Sequence, residues 1–180
     1  MLQLAIRIIM GSRSDAKRTN ELLAILMRLG IPYNVSIASC HRNEAELKRF
    51  ILSISEQIVV FIGGMSLAAP GIIRAIYIAA KVMKKIVFGI PLDAAACSAI
   101  EDLPAGTPVI TCGLNTVSVS HSITNSALSI GHIVAVSGNE PVSNQLSAWY
   151  DEQQKKKPLI EAVELVHGLI QIPKEEEKKR

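Results

Sequence analysis

What most limits the fold of this chain is a series of short apolar runs, each closed by a small polar loop and followed by a segment of helical period. The first, Leu4-Ala5-Ile6-Arg7-Ile8-Ile9, is rich in branched aliphatic residues and nearly continuously apolar, as a parallel strand covered on both faces requires. It ends at Gly11. Ser14 or Asp15 then caps a helix running to about residue 29, with Leu22, Ile25, Leu26 and Leu29 on one face and Gly30 as its stop. The unit recurs. Residues 33–38 read as a strand, Ser39-Cys40-His41-Arg42 as its loop, and Asn43-Glu44-Ala45-Glu46 as the capped start of a helix reaching about residue 55. Residues 58–62 form a third strand, followed by the loop Gly63-Gly64-Met65-Ser66 and by Pro70 in the first turn of a helix through residue 80. Residues 86–90 and 109–112 supply a fourth and a fifth strand. Between them, Pro91, Pro104, Gly106 and Pro108 predict that residues 91–108 are largely loop. The rest reads as helices over residues 117–136, 142–156 and 158–170, then a solvated Lys/Glu tail.

Strands alternating with helices imply an α/β fold with a doubly wound parallel sheet, because right-handed crossovers place helices on both faces. Ligands of such sheets bind outside the carboxyl ends of the strands, where the strand order reverses. That rule brings together the loops at residues 11–15, 39–42 and 63–66. With 180 residues, 49% of them hydrophobic, one substantial core is expected. The expected domain spans residues 1–138, and residues 139–180 form a C-terminal helical extension with a charged tail.

Composition excludes several classes. Mean hydropathy is positive, yet no uncharged apolar run approaches the roughly 18–20 residues of a membrane span, so no membrane partner is expected. A cleavable signal pattern is lacking at the start, which predicts a cytoplasmic protein. Cys40, Cys97 and Cys112 show no metal-ligand spacing, and neither a disulfide framework nor a zinc site is expected. Net charge is +3 and aromatics are only 4%, without the clustered cations and stacking rings of a nucleic-acid binder.

The loops carry the candidate chemistry. In Gly11-Ser12-Arg13-Ser14-Asp15 the glycine lets the backbone approach a ligand. The hydroxyls of Ser12 and Ser14 can donate to phosphate, and Asp15 can accept from a ribose diol. A plain turn with an N-cap accounts equally well for this pentapeptide alone. Ser39 and Arg42 offer further phosphate donors, and His41 an imidazole suited to proton transfer near neutral pH. Gly63 and Gly64 can admit a ligand close to the backbone, or form a tight turn. Asp93 is a weaker candidate, and His121, His132 and His167 lack a second ligand at metal spacing.

Met10-Gly11-Ser12-Arg13-Ser14-Asp15, Gly30-Ile31-Pro32-Tyr33 and Ser39-Cys40-His41-Arg42 together resemble the purine-biosynthetic PurE family, with its GSxSD, G-I-P-Y/F and S-A-H-R motifs at this spacing. The likeness continues through Pro70-Gly71, Val87-Phe88-Gly89-Ile90-Pro91 and Pro104-Ala105-Gly106-Thr107-Pro108-Val109. It implies a three-layer flavodoxin-like domain that assembles as a homo-octamer with sites shared between subunits. It also implies cofactor-free interconversion of N5-carboxyaminoimidazole ribonucleotide and 4-carboxyaminoimidazole ribonucleotide. By the resemblance His41 is the general acid/base, Ser12, Ser39 and Arg42 hold the 5′-phosphate, and Asp15 holds the ribose hydroxyls. The chain departs from the family at Ala68, where the third loop normally carries histidine, and over residues 97–104, which are shortened. Two alternatives follow: a carboxylase using free CO2, against which Arg42 speaks, and a ribonucleotide-binding paralogue without turnover.

Overall fold

The computed structural model describes residues 4–40, 44–64, 67–114, 118–156, 164–166 and 169–171. Four strands form one sheet: β1 (Ile6–Met10), β2 (Tyr33–Ile37), β3 (Ile58–Gly63) and β4 (Ile86–Pro91). They are all parallel and stand in the order β2-β1-β3-β4. The chain steps outward from β1 to β2, then returns across β1 to build β3 and β4 on the other side. The order therefore reverses between β1 and β3, and the carboxyl ends of those two strands frame the crevice such a sheet offers to ligands.

The alternation of side chains along β1 and β3 feeds two separate cores. On one face Ile6, Ile8, Val60, Ile62, Phe88 and Ile90 pack against α1 (Ala16–Arg28) and α5 (Val119–Val136). Val142 and Leu146, from the start of α6 (Glu140–Lys156), join them. On the other face Ile9, Val59, Phe61 and Val87 meet Leu47 and Ile51 of α2 (Glu44–Ser53) and Ile73 and Tyr77 of α3 (Ala69–Ala79). This is the predicted doubly wound, three-layer arrangement.

Two expectations for the connection after β4 change. Residues 91–108 are not largely loop, because α4 (Ala94–Glu101) forms inside them. Asp93 caps it, its Oδ1 accepting from the Ala96 N–H at 2.8 Å. The run Ala94-Ala95-Ala96 has high helix propensity, and the prolines that suggested a loop flank the helix without entering it. Of the expected fifth strand, only Ile110 bridges β4: its N–H donates to Val87 O and its carbonyl accepts from Gly89 N–H, both at 2.9 Å. Gly89 interrupts an otherwise bulky strand for a packing reason. A Cβ there would stand 2.7 Å from Ile100 Cδ1 and 3.1 Å from Pro70 Cγ, so its absence lets α4 and the first turn of α3 reach the sheet.

At the amino ends of the strands, opposite the crevice, lies a polar network. Arg7 Nη2 pairs with Glu56 Oε1 at 2.8 Å, Asn34 Nδ2 donates to the same oxygen at 2.7 Å, and Arg7 Nη1 donates to Ser36 Oγ at 2.9 Å. Lys85 Nζ donates to the carbonyls of Ile54 and Glu56 at 2.8 and 2.7 Å. Burial, reinforced by the Glu56 charge, pushes the Tyr77 hydroxyl up to about 12, and that hydroxyl donates to Ile51 O at 3.1 Å.

Residues 1–146 form one compact unit and residues 147–180 a second. In the second, β5 (Glu164–Val166) and β6 (Leu169–Gln171) pair antiparallel where a helix over 158–170 was expected. Leu165-Val166 and Leu169-Ile170 are apolar pairs with branched residues, a composition that suits short strands as well as a helix.

Candidate active site

The loop after β1 is a single 3-10 turn, Arg13–Asp15, that runs directly into α1. Asp15 organises it from within. Its Oδ2 accepts from the Ser12 N–H at 2.9 Å and from Ser12 Oγ at 3.2 Å, while its backbone carbonyl accepts from Thr19 Oγ1 at 3.0 Å. Ser12 Oγ and Ser14 Oγ are hydrogen-bonded to each other. The carboxylate thus closes the 3-10 turn back onto Ser12, in the manner of a capping box, while making no cap bond to α1 itself, and the two hydroxyls are gathered on one side of the turn. The positive end of the α1 dipole adjoins them, as anion binding at a helix start requires.

Around this turn lies a cleft of about 420 Å³ at the carboxyl ends of the strands. The structure brings Gly11, Ser12, Ser14 and Asp15 together with Ser39 after β2 and with Gly63 and Gly64 after β3. His41 and Arg42 lie outside the described residues. The cleft also takes in residues the loop motifs did not single out: Phe61, Leu67, Ala69, Leu92 and Cys40. Their signal was only position: Phe61, Cys40 and Leu92 lie at or soon after the carboxyl end of a strand, and Leu67 and Ala69 lead into α3. Asp93, a weak candidate by sequence, lines it too.

The floor is closely fitted. Met10 O accepts from Ala38 N–H at 3.0 Å, Ile62 O from Gly11 N–H at 3.2 Å and Gly63 O from Leu92 N–H at 2.9 Å, so the ladder continues into the loops. Phe61 is 2% exposed, and its ring edge would contact a Cβ on either Gly11 or Gly63, at 3.5 and 3.6 Å. Burial pushes the Cys40 thiol up, partly offset by a backbone hydrogen bond, so this thiol is protonated near neutral pH. An adjoining hollow of about 680 Å³ shares Gly11, Ser12 and Ser39 and adds Arg13 and Glu46 at its polar edge. Chemically, the arrangement offers hydroxyls, a helix start and a cation at one end, an apolar floor, and a second carboxylate at the other end.

A family model described as AIR carboxylase matches residues 5–156, which include every loop of this cleft. The chain belongs to the AIR carboxylase family. N5-carboxyaminoimidazole ribonucleotide mutase of Methanocaldococcus jannaschii is 29% identical over 156 residues, covering 83% of this chain and 90% of that protein. The Escherichia coli K12 protein of the same name is 29% identical over 157 residues, covering 82% of this chain and 86% of that one. Among solved structures, Treponema denticola PurE superposes with a TM-score of 0.68 at 17% identity, over 84% of this chain and 92% of that one. That likeness is one of fold.

Within the family frame the two departures acquire places. Ala68 immediately precedes α3, and its carbonyl accepts from the Ile72 N–H at 3.1 Å. The shortened segment is the one that folds as α4, with Leu103 beyond it filling the space over Gly71.

Proposed function

We propose that this chain is an N5-carboxyaminoimidazole ribonucleotide mutase of purine biosynthesis. The observation that carries the proposal is the match to the AIR carboxylase family across residues 5–156, which spans all the strands and loops that build the cleft. The reaction is an isomerisation. The carbamate C–N bond breaks, CO2 stays in the cleft, C4 of the aminoimidazole attacks it, and the C4 proton returns to the exocyclic nitrogen. His41 is the group proposed to move that proton, since imidazole is the side chain whose two nitrogens can take up and hand on a proton in neutral solution.

Ser12, Ser39 and Arg42 are proposed to hold the 5′-phosphate, supported by the hydroxyls and helix start gathered beside Gly11. Asp15 is proposed to meet the ribose through the oxygen that takes no part in the Ser12 bonds. The apolar floor of Phe61, Leu67 and Leu92 suits CO2, which gains nothing from water and is lost if it escapes. A cytoplasmic homo-octamer completes the reading.

The test is turnover of N5-carboxyaminoimidazole ribonucleotide by the purified chain, with aminoimidazole ribonucleotide plus bicarbonate as the competing substrate pair. Mutase activity that is lost in His41→Asn, with ribonucleotide binding retained, is the expected result. Faster reaction from bicarbonate would reassign the chain as a direct carboxylase. Binding without turnover in the intact protein would leave a ribonucleotide-binding paralogue, the outcome that Ala68 would then explain.

A further inference from the structure

We infer that Asp93 orients the base, accepting a hydrogen bond from the exocyclic amine and turning the migrating carboxylate away from itself. The inference rests on the ribonucleotide reading above and deepens it.

Strand order sets the argument. The loop after β1 carries the phosphate donors, and Asp93 follows β4, two strands away in the order β2-β1-β3-β4. Neighbouring strands are about 4.8 Å apart, so Asp93 stands roughly 10 Å across the cleft from that loop. A ribonucleotide anchored by its phosphate at Ser12 therefore extends its base over Gly63 and Gly64 toward Asp93. All of these residues line the same cleft.

The side chain is held in place from two directions. Oδ1 caps α4 through the Ala96 N–H, at 2.8 Å. Oδ2 lies over Gly64, where any added Cβ would collide with it, and the Leu92 N–H ties the strand end to Gly63 O at 2.9 Å. A carboxylate fixed by a helix cap cannot swing away when a ligand arrives. It can only select one.

What it selects follows from charge. A carboxylate accepts N–H bonds and repels other carboxylates. In N5-carboxyaminoimidazole ribonucleotide the exocyclic nitrogen bears one N–H and one carboxylate. Accepting that N–H leaves the carboxylate on the other side of the nitrogen, away from the Asp93 charge.

The test pairs a protein change with a ligand change. Asp93→Asn keeps the side-chain volume and an acceptor for the helix cap, but removes the charge. Affinities of wild type and D93N are measured by calorimetry for aminoimidazole ribonucleotide and for the imidazole ribonucleotide lacking the amine. Wild type should prefer the amine-bearing ligand by about tenfold, the size of one charge-assisted hydrogen bond, and D93N should lose most of that preference. For the mutase reaction, D93N should lower kcat more than it raises KM. Equal weakening of both ligands in D93N, or an unchanged preference, would overturn the inference and leave Asp93 as a helix cap. Failure of wild type to bind either ribonucleotide would instead overturn the reading on which it rests. Asp93→Ser, which also caps helices, guards against a folding defect particular to asparagine.

Discussion

Glu56 is 3% exposed and is the anchor of the polar network below the sheet. Burial acts to raise its carboxyl, but hydrogen bonds from its own backbone and from Asn34 and Arg7, with the Arg7 charge, outweigh that and hold it below the ordinary 4.5. A carboxyl lowered on folding stabilises the native state above its unfolded value and loses that contribution as pH falls through the folded one. Stability should therefore decline below pH 4.5, and Glu56→Gln should remove this part of the acid dependence. At neutral pH the same substitution should cost about 1.5–3 kcal/mol, the worth of hydrogen bonds to a charged group. Urea unfolding of both proteins from acid to neutral pH checks both statements. If the two lose stability in parallel on acidification, Glu56 is not the titrating group. Arg7 was visible in the sequence as a lone cation in an apolar strand; its partner was not. The pairing depends on β1 lying beside β3, and no local pattern encodes that. Asp15 is the intermediate case: a turn closed within five residues is a local device and was legible there, whereas its place in the cleft followed only from the rule that gathers the loops at the carboxyl ends of a doubly wound sheet.

Gly89 shows what a whole element needs from one position. α4 and the first turn of α3 both lean on β4 at this point, and Ala69 in that turn lines the cleft. Gly89→Ala should push these helices outward, costing about 1–3 kcal/mol as overpacking does, and should weaken ribonucleotide binding as well. Chemical denaturation and calorimetry on the same preparation separate the two effects. A variant as stable as wild type would mean that Ile100 and Pro70 can move aside freely. Elements were legible where period and caps agreed, as in α1, whose Leu22 and Leu26 are fully buried as their spacing required. They were illegible where neighbouring signals competed. Pro91, Pro104 and Pro108 outweighed an Asp-capped alanine run, and a stretch of helical length hid the antiparallel pair β5 and β6, whose strands are three residues each. Residues 109–112 have strand composition, yet beyond Ile110 they are not paired in the ladder. A strand is completed by its neighbour, so composition alone overcounted it.

At the scale of the whole molecule, the doubly wound sheet leaves β2 as an edge. Val35 and Ile37 point to the same side of it and are 38% and 51% exposed, and Met27 on α1 is 67% exposed. A monomer carrying an open edge strand with apolar side chains is prone to pair with copies of itself unless that edge is covered. The octamer implied by the family resemblance would supply such a cover, and it is the reading of the assembly proposed above. Light scattering should then give a mass of eight copies of the 19.5 kDa chain. Ile37→Lys places a charge on a half-exposed apolar side chain at the end of that edge and should lower the mass while leaving the circular dichroism of the chain unchanged. Because Ser39, two residues further along, lines the cleft, loss of assembly should also reduce turnover if neighbouring copies close the site. A wild-type mass of one chain across the micromolar range would sink the octamer, and full turnover in a dissociated Ile37→Lys protein would show that each cleft works by itself.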